Sequence, residues 1–210
     1  MIDTVKFWDK MAKNYAKKSV PNEEVYQLKK DLTREYFTPE SRVFEFGCGT
    51  GSTAIAHAPF VKHITATDIS PEMLRIAKDK AQSANIDNVI FEQWDVSTDP
   101  IATSDFDAVL ALSILHLVDD LPSVLAKCHN LLKDGGFLIS STGCLADKMG
   151  YLHPVLAFMK FIGKAPTVAF FTNEQLEQNL QSAGFQTVHR WHPKGSESVF
   201  IISRKVDANL

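Results

Sequence analysis

Cysteine is scarce in this chain of 210 residues. The three thiols, Cys48, Cys128 and Cys144, lie far apart, form no CxxC pair and leave one over under any disulfide scheme. They read as reduced structural thiols, with no metal or redox centre expected. Long apolar runs are also missing. No stretch approaches the roughly 20 apolar residues that span a bilayer, and the opening MIDTVKFWDKMAKNYAKK lacks a signal-peptide core. The expectation is a soluble, cytoplasmic protein. An excess of positive charge is absent too: the formal net charge is −3 and the pI about 6.2. That argues against a broad basic face for nucleic acid and favours a small substrate. There is no internal repeat, low-complexity tract or Gly/Ser/Pro linker. With 45% hydrophobic residues, the chain has enough apolar content for one full core.

What is present is an alternation of short apolar runs with helical segments. The first buried strand is expected at Arg42 to Phe46, between Pro39 and a glycine cluster. A short helix near Thr53 to Ala58 precedes a second strand, His63 to Thr67. Ser70-Pro71 caps a helix running to about Ala84. A third strand follows at Asn88 to Gln93, and a nearly all-apolar fourth at Phe106 to Leu112 suits the middle of a parallel sheet. A helix from Leu121 to about Leu132 is stopped by Gly135-Gly136, after which Phe137 to Ser141 makes a fifth strand. Thr172-x-x-Gln175 is a capping-box signature for a helix ending at Gly184. Two closing runs, Gln186 to Trp191 and Val199 to Ser203, are too close in sequence for a parallel crossover and must form an antiparallel hairpin. The fold class is therefore α/β: a Rossmann-like, doubly wound, seven-stranded sheet, mostly parallel with a C-terminal antiparallel hairpin.

In VFEFGCGTGS, Gly47, Gly49 and Gly51 sit between a strand and a helix, where backbone must turn sharply and approach a ligand closely. A nicotinamide or flavin fingerprint places its last glycine where Ser52 stands, and no Walker lysine follows the loop. Asp68 closes the second strand just under 20 residues after Gly49, the distance at which α/β binders present a carboxylate to ribose hydroxyls. An aspartate at a strand end can equally be a helix cap. Asp95, in FEQWDV, is expected to end the third strand, giving a second strand-end carboxylate that faces the same crevice.

Taken together, these segments resemble the motifs of class I S-adenosylmethionine-dependent methyltransferases. In particular they resemble the small-molecule type related to the ubiquinone and menaquinone biosynthesis C-methyltransferases. The resemblance runs from FWDKMAKNYAKK through E/DxGxGxG, here Glu45 to Gly51, and TATDISPEML to LALSILHLVDD and the closing hairpin. It implies S-adenosyl-L-methionine as cofactor, S-adenosyl-L-homocysteine as product and no metal. Glu45 would anchor the methionine ammonium while Gly47, Cys48, Gly49 and Gly51 pack against the cofactor. Asp68 would take the ribose, Ile69 and Met73 would flank the adenine, and Asp95 and the Val96 amide would read its edge. The Leu112 carbonyl would hold the ammonium, and Tyr15 would reach the methionine carboxylate. Trp8 and Tyr15, seven apart, share one helical face, which suits core packing equally. Ser113 and His116 look to the acceptor side. His116 could serve as a base near neutral pH or merely cap and pack.

The expected organisation is one methyltransferase domain over 1–210, with an N-terminal helical cover at 1–38 and a substrate-lid insertion at 145–171. The apolar stretch Gly150 to Phe171 could also be an extra helix packed on the sheet or a dimer or membrane-surface patch. The acceptor is expected to be small and apolar or amphipathic. The Asn/Asp-Pro-Pro-Tyr signature of base-modifying enzymes is absent, so nucleic acid is not expected, while a homodimer is possible. A protein methyltransferase using Asp119 and Asp120 to meet a basic substrate, a non-catalytic cofactor-binding module and, more remotely, an NAD-dependent oxidoreductase stand as alternatives.

Overall fold

The computed structural model describes residues 3–101, 104–146, 168–194, 196 and 198–206. Seven strands form one sheet: β1 Arg42–Phe46, β2 His63–Asp68, β3 Val89–Gln93, β4 Phe106–Leu112, β5 Leu132–Gly143, β6 Phe185–Trp191 and β7 Ser198–Lys205. Their order is β3-β2-β1-β4-β5-β7-β6. The pairs β1–β2, β2–β3, β1–β4 and β4–β5 are parallel, whereas β7 pairs antiparallel with both β5 and β6. Strand order reverses at β1 and β4, so the crevice beyond their carboxyl ends is where an open α/β sheet binds ligands.

The α-helices among the described residues are α1 Thr4–Lys17, α2 Glu23–Arg34, α3 Ser52–His57, α4 Pro71–Ser83, α5 Leu121–Leu131 and α6 Asn173–Ser182. Their starts follow side-chain chemistry. Ser70 accepts the Met73 amide with Pro71 at the first turn, Asp120 accepts the Ser123 amide, and Thr172 and Gln175 complete the reciprocal capping box.

Side-chain alternation along the strands feeds two cores, one per face. Phe44, Phe46, Val109, Ala111, Leu138 and Ile201 pack with α5 and α6 residues such as Leu125 and Leu176. On the other face, Val43, Ile64, Ala108, Leu110, Ile139 and Phe200 meet α3 and α4 through Ala54, Leu74 and Ala77. The end of α2 joins this side, with the Tyr36 ring edge-on to Phe137 at 4.8 Å.

The expected fifth strand is longer than the sequence suggests. Gly135-Gly136 do not end the preceding helix, which stops at Leu131. They lie inside β5, where Gly135 adopts φ +73 and the β4–β5 register shifts between Phe106 and Ala108. Glycines at a bulge permit this without breaking the sheet. Likewise β3 stops at Gln93, so Asp95 lies beyond the strand in a turn. The expected lid at 145–171 falls mostly on residues 147–167, which lie outside the described residues.

Candidate active site

The glycine loop follows directly from the end of β1. Gly47, Gly49 and Gly51 all have positive φ, at +64, +54 and +73. At Gly51 the demand is steric as well, since an added Cβ would stand 2.7 Å from the Ala77 Cβ and 2.8 Å from the Phe91 ring. At Gly49, among the described residues, the neighbour within reach is the Tyr15 ring, at 3.5 Å. The loop is held from below: the Cys48 amide donates to the Thr67 carbonyl and the Gly49 amide to Asp68 Oδ2, at 2.9 and 2.8 Å. Burial pushes the Cys48 thiol well above its usual range, so it packs as a neutral group.

Beneath this loop Glu45 is fully buried, and its Oε2 meets no hydrogen-bond partner among the described residues. Burial, reinforced by the neighbouring Asp68 charge, pushes its carboxyl up to about 8. An orphaned buried carboxylate opposes folding, so this position is one that a ligand cation would relieve.

A cavity of about 480 Å³ opens above these residues, within the range of roughly 300–1,000 Å³ typical of small-molecule sites. Its walls include Tyr15, Glu45, Gly47, Cys48, Leu112 and Ser113, and the α2 residues Tyr26 and Lys29. Ser113 holds a left-handed φ of +60 while its amide donates to the Ser141 carbonyl at 2.7 Å. Strained backbone of this kind persists where surrounding structure imposes it.

The remaining expected residues lie away from this cavity lining. Asp68 is buried and already receives the Gly49 and Ser70 amides on its two oxygens. Burial raises its pKa, while backbone donors at Ser70, Gly49 and Ile69 oppose that rise. Its role as loop organiser is thus visible alongside any role toward ribose. Ile69 follows it and Met73 is buried on α4. Val96 is buried in the core on the α5 face, and Asp95 Oδ1 accepts the Ser97 amide at 2.8 Å. His116 sits on a 3₁₀ turn, Leu115–Leu117, half-buried beside Gly143. Its Nδ1 is buried without a partner among the described residues, and burial lowers its pKa, favouring the neutral ring. The structure therefore groups Tyr15, Glu45 and the glycine loop with Leu112 around one cavity, and sets Asp68, Asp95, Val96 and His116 around its rim or beyond it.

Sequence reasoning did not single out several neighbours. Asp9 of α1 accepts the Ser70 hydroxyl and the Glu72 amide, tying α1 to the start of α4. Lys29 donates to Ser141 and Ser198, and Lys80 to Thr50 and Ser52. Only the polar run Ser140-Ser141-Thr142 at the end of an otherwise apolar strand hinted at any of these. Of the expected acidic rim, Asp120 is spent as the cap of α5.

Strand order and the glycine loop at the end of β1 together make a Rossmann-like architecture of the kind class I methyltransferases share. Residues 43–136 match the family model described as methyltransferase domain. The chain is 32% identical over 160 residues to the uncharacterised methyltransferase YcgJ of Bacillus subtilis, covering 73% of this chain and 61% of that protein. It is 36% identical over 109 residues to a demethylmenaquinone methyltransferase of Porphyromonas gingivalis, covering 50% and 44%. Among solved structures, the N-methyltransferase NodS of Bradyrhizobium japonicum with S-adenosyl-L-homocysteine superposes with a TM-score of 0.74. That likeness is at 17% identity and covers 98% of this chain and all of NodS. The chain spans about half to three fifths of the length of these two curated relatives. A methyltransferase domain is thus matched over residues 43–136, and the likeness to NodS is one of fold.

Proposed function

We propose that this chain transfers a methyl group from S-adenosyl-L-methionine to a small amphipathic acceptor. One observation carries the reading: a fully buried carboxyl, Glu45, with an oxygen lacking a partner among the described residues, lines the same cavity as Gly47 and Cys48 of the glycine loop. The residues fit the cofactor. Glu45 and the Leu112 carbonyl would hold its ammonium, Gly47 to Gly51 its methionine and ribose backbone-side, and Tyr15 the carboxylate end. Asp68, Ile69, Met73, Asp95 and Val96 would serve the adenosine half.

When bound, the cofactor supplies a methyl group already activated on a sulfonium, so the chain has to position and desolvate the reacting pair. His116, neutral at pH 7 through burial, is the group available to accept a proton from an acceptor that must lose one. In this reading α1 and α2 belong to a cover over residues 1–38 of a single domain. A cytoplasmic setting is supported by Cys48 and Cys128, which are buried, reduced thiols. Relatives named for quinone precursors support a small acceptor.

Calorimetry with S-adenosyl-L-homocysteine tests the cofactor assignment. Micromolar binding is expected, and Asp68→Ala is expected to weaken it at least tenfold, a loss of about 1.4 kcal/mol or more. No uptake by well-folded protein would sink the reading. Transfer of labelled methyl into metabolite extracts then tests the acceptor class, and label found only in macromolecules would exclude a small molecule.

A further inference from the structure

Lys29 and Lys30 of α2 both line the cavity, and Lys29 reaches the ends of β5 and β7. Its ammonium donates to Ser141 Oγ at 2.7 Å and, more loosely, to Ser198 Oγ at 3.4 Å. Ser196 Oγ lies 2.9 Å from Ser198 Oγ and lines the same cavity. Among the described residues no carboxylate lies within 4 Å of this ammonium. A half-buried ammonium met only by hydroxyl dipoles is under-compensated, because neutral oxygens do not replace the water that burial removes. A third donor position on the nitrogen remains for another acceptor.

This cluster lies two to three strands from Glu45 and begins one strand beyond Leu112. Glu45 stands on β1, and the sheet continues β1-β4-β5-β7. Ser141 pairs in register with Leu112 across β4–β5, and Ser198 with Gly143 across β5–β7. At about 4.8 Å per strand, Ser141 is about 10 Å and Ser198 about 14 Å from the β1 end. The hydroxyl-rich corner therefore faces the side where an acceptor would stand, beyond Ser113 with its left-handed backbone.

We propose that Lys29, with the Ser141 and Ser198 hydroxyls, seats a carboxylate group of the methyl acceptor. The acceptor is then an amphipathic organic acid, apolar against the sheet face and anionic at this corner. The inference rests on the methyltransferase reading above, and it names the substrate class for that same site.

The test begins with calorimetric titration of S-adenosyl-L-homocysteine into wild type and Lys29→Met, so that a failed cofactor assignment is seen at once and separately. The saturated complexes are then titrated with benzoate, phenylacetate and 3-phenylpropionate and with their primary amides. At least one acid is expected to bind wild type tenfold tighter than its amide. That preference should vanish in Lys29→Met and return in Lys29→Arg, while affinity for S-adenosyl-L-homocysteine stays within twofold. Should Lys29→Met fail to fold by circular dichroism, the Ser141→Ala/Ser198→Ala double variant carries the same expectation. The proposal is overturned if no acid outbinds its amide on wild type, or if the preference survives Lys29→Met. It is also overturned if Lys29→Met weakens S-adenosyl-L-homocysteine instead, which would hand this ammonium to the methionine carboxylate.

Discussion

At Gly51 two independent demands coincide: a left-handed φ of +73 and the approach of Ala77 and Phe91 within 3 Å of where a Cβ would be. Ala77 offers no flexible end that could swing aside. Gly51→Ala is therefore expected to cost about 1–3 kcal/mol in backbone strain and a similar amount in overpacking. A fall in melting temperature of several degrees in a thermal scan would register it. Gly49→Ala is a useful contrast, because the nearest neighbour is the Tyr15 ring at 3.5 Å, and strain alone should remain. Equal destabilisation by both would contradict the argument from Ala77. These positions were legible as a loop from GxGxG, but which glycine is steric and which merely conformational was decided by α4 packing behind the loop.

Among the elements, α1 is held by few buried side chains. Ala12 is its single buried residue, and Tyr15 remains 49% exposed. A helix of 14 residues is marginal in water without tertiary support. Asp9 supplies some of that support through the Ser70 hydroxyl and the Glu72 amide. Asp9→Ala should raise amide exchange across Thr4–Lys17 about tenfold while leaving α4 protected. The same variant should weaken S-adenosyl-L-homocysteine binding only a few-fold if α1 is a cover and not a supporting wall. Loss of protection throughout α4 would show the reverse dependence. The sequence placed Trp8 and Tyr15 on one helical face, and the helix forms as expected. Its attachment point, Asp9, was not legible, because one acidic residue on a polar helix face looks like any other.

Across the whole molecule, two buried groups shape stability against pH in opposite senses. His57 is completely buried, with neither ring nitrogen partnered among the described residues, and burial lowers its pKa to about 3. The unfolded chain then holds more protons on this group between about pH 3 and 6.5, so its contribution is lost as pH falls through that window. Glu45 is the reverse, because its folded pKa of about 8 lies above the unfolded value of 4.5. The folded chain holds the extra proton, and this contribution is full at acidic pH and lost as pH rises from about 4.5 to 8. Between about 4.5 and 6.5 the two oppose each other. Urea titrations from pH 3 to 8.5 should therefore show stability rising to a plateau and declining above about 6.5. Glu45→Gln should remove the alkaline decline, and His57→Phe the acid limb. An unchanged alkaline limb in Glu45→Gln would mean that this carboxyl ionises in the folded state as it does in solution.

Local chemistry wrote much of this protein directly into its sequence. Apolar runs of strand length, the Ser70-Pro71 cap, the Thr172-x-x-Gln175 box and the short gap before β7 each act over a few residues, so each could be read without knowing the neighbours. The glycine loop and Asp68 were legible for the same reason. Tertiary structure alone decided what depends on segments far apart in the chain. It set β7 between β5 and β6, ran β5 through Gly135-Gly136, turned Asp95 into a loop cap and brought Lys29 to Ser141 across more than a hundred residues. The physical reason is range: hydrogen bonds within a turn depend on local sequence, whereas desolvation and cross-sheet contact depend on which surfaces the whole chain buries together.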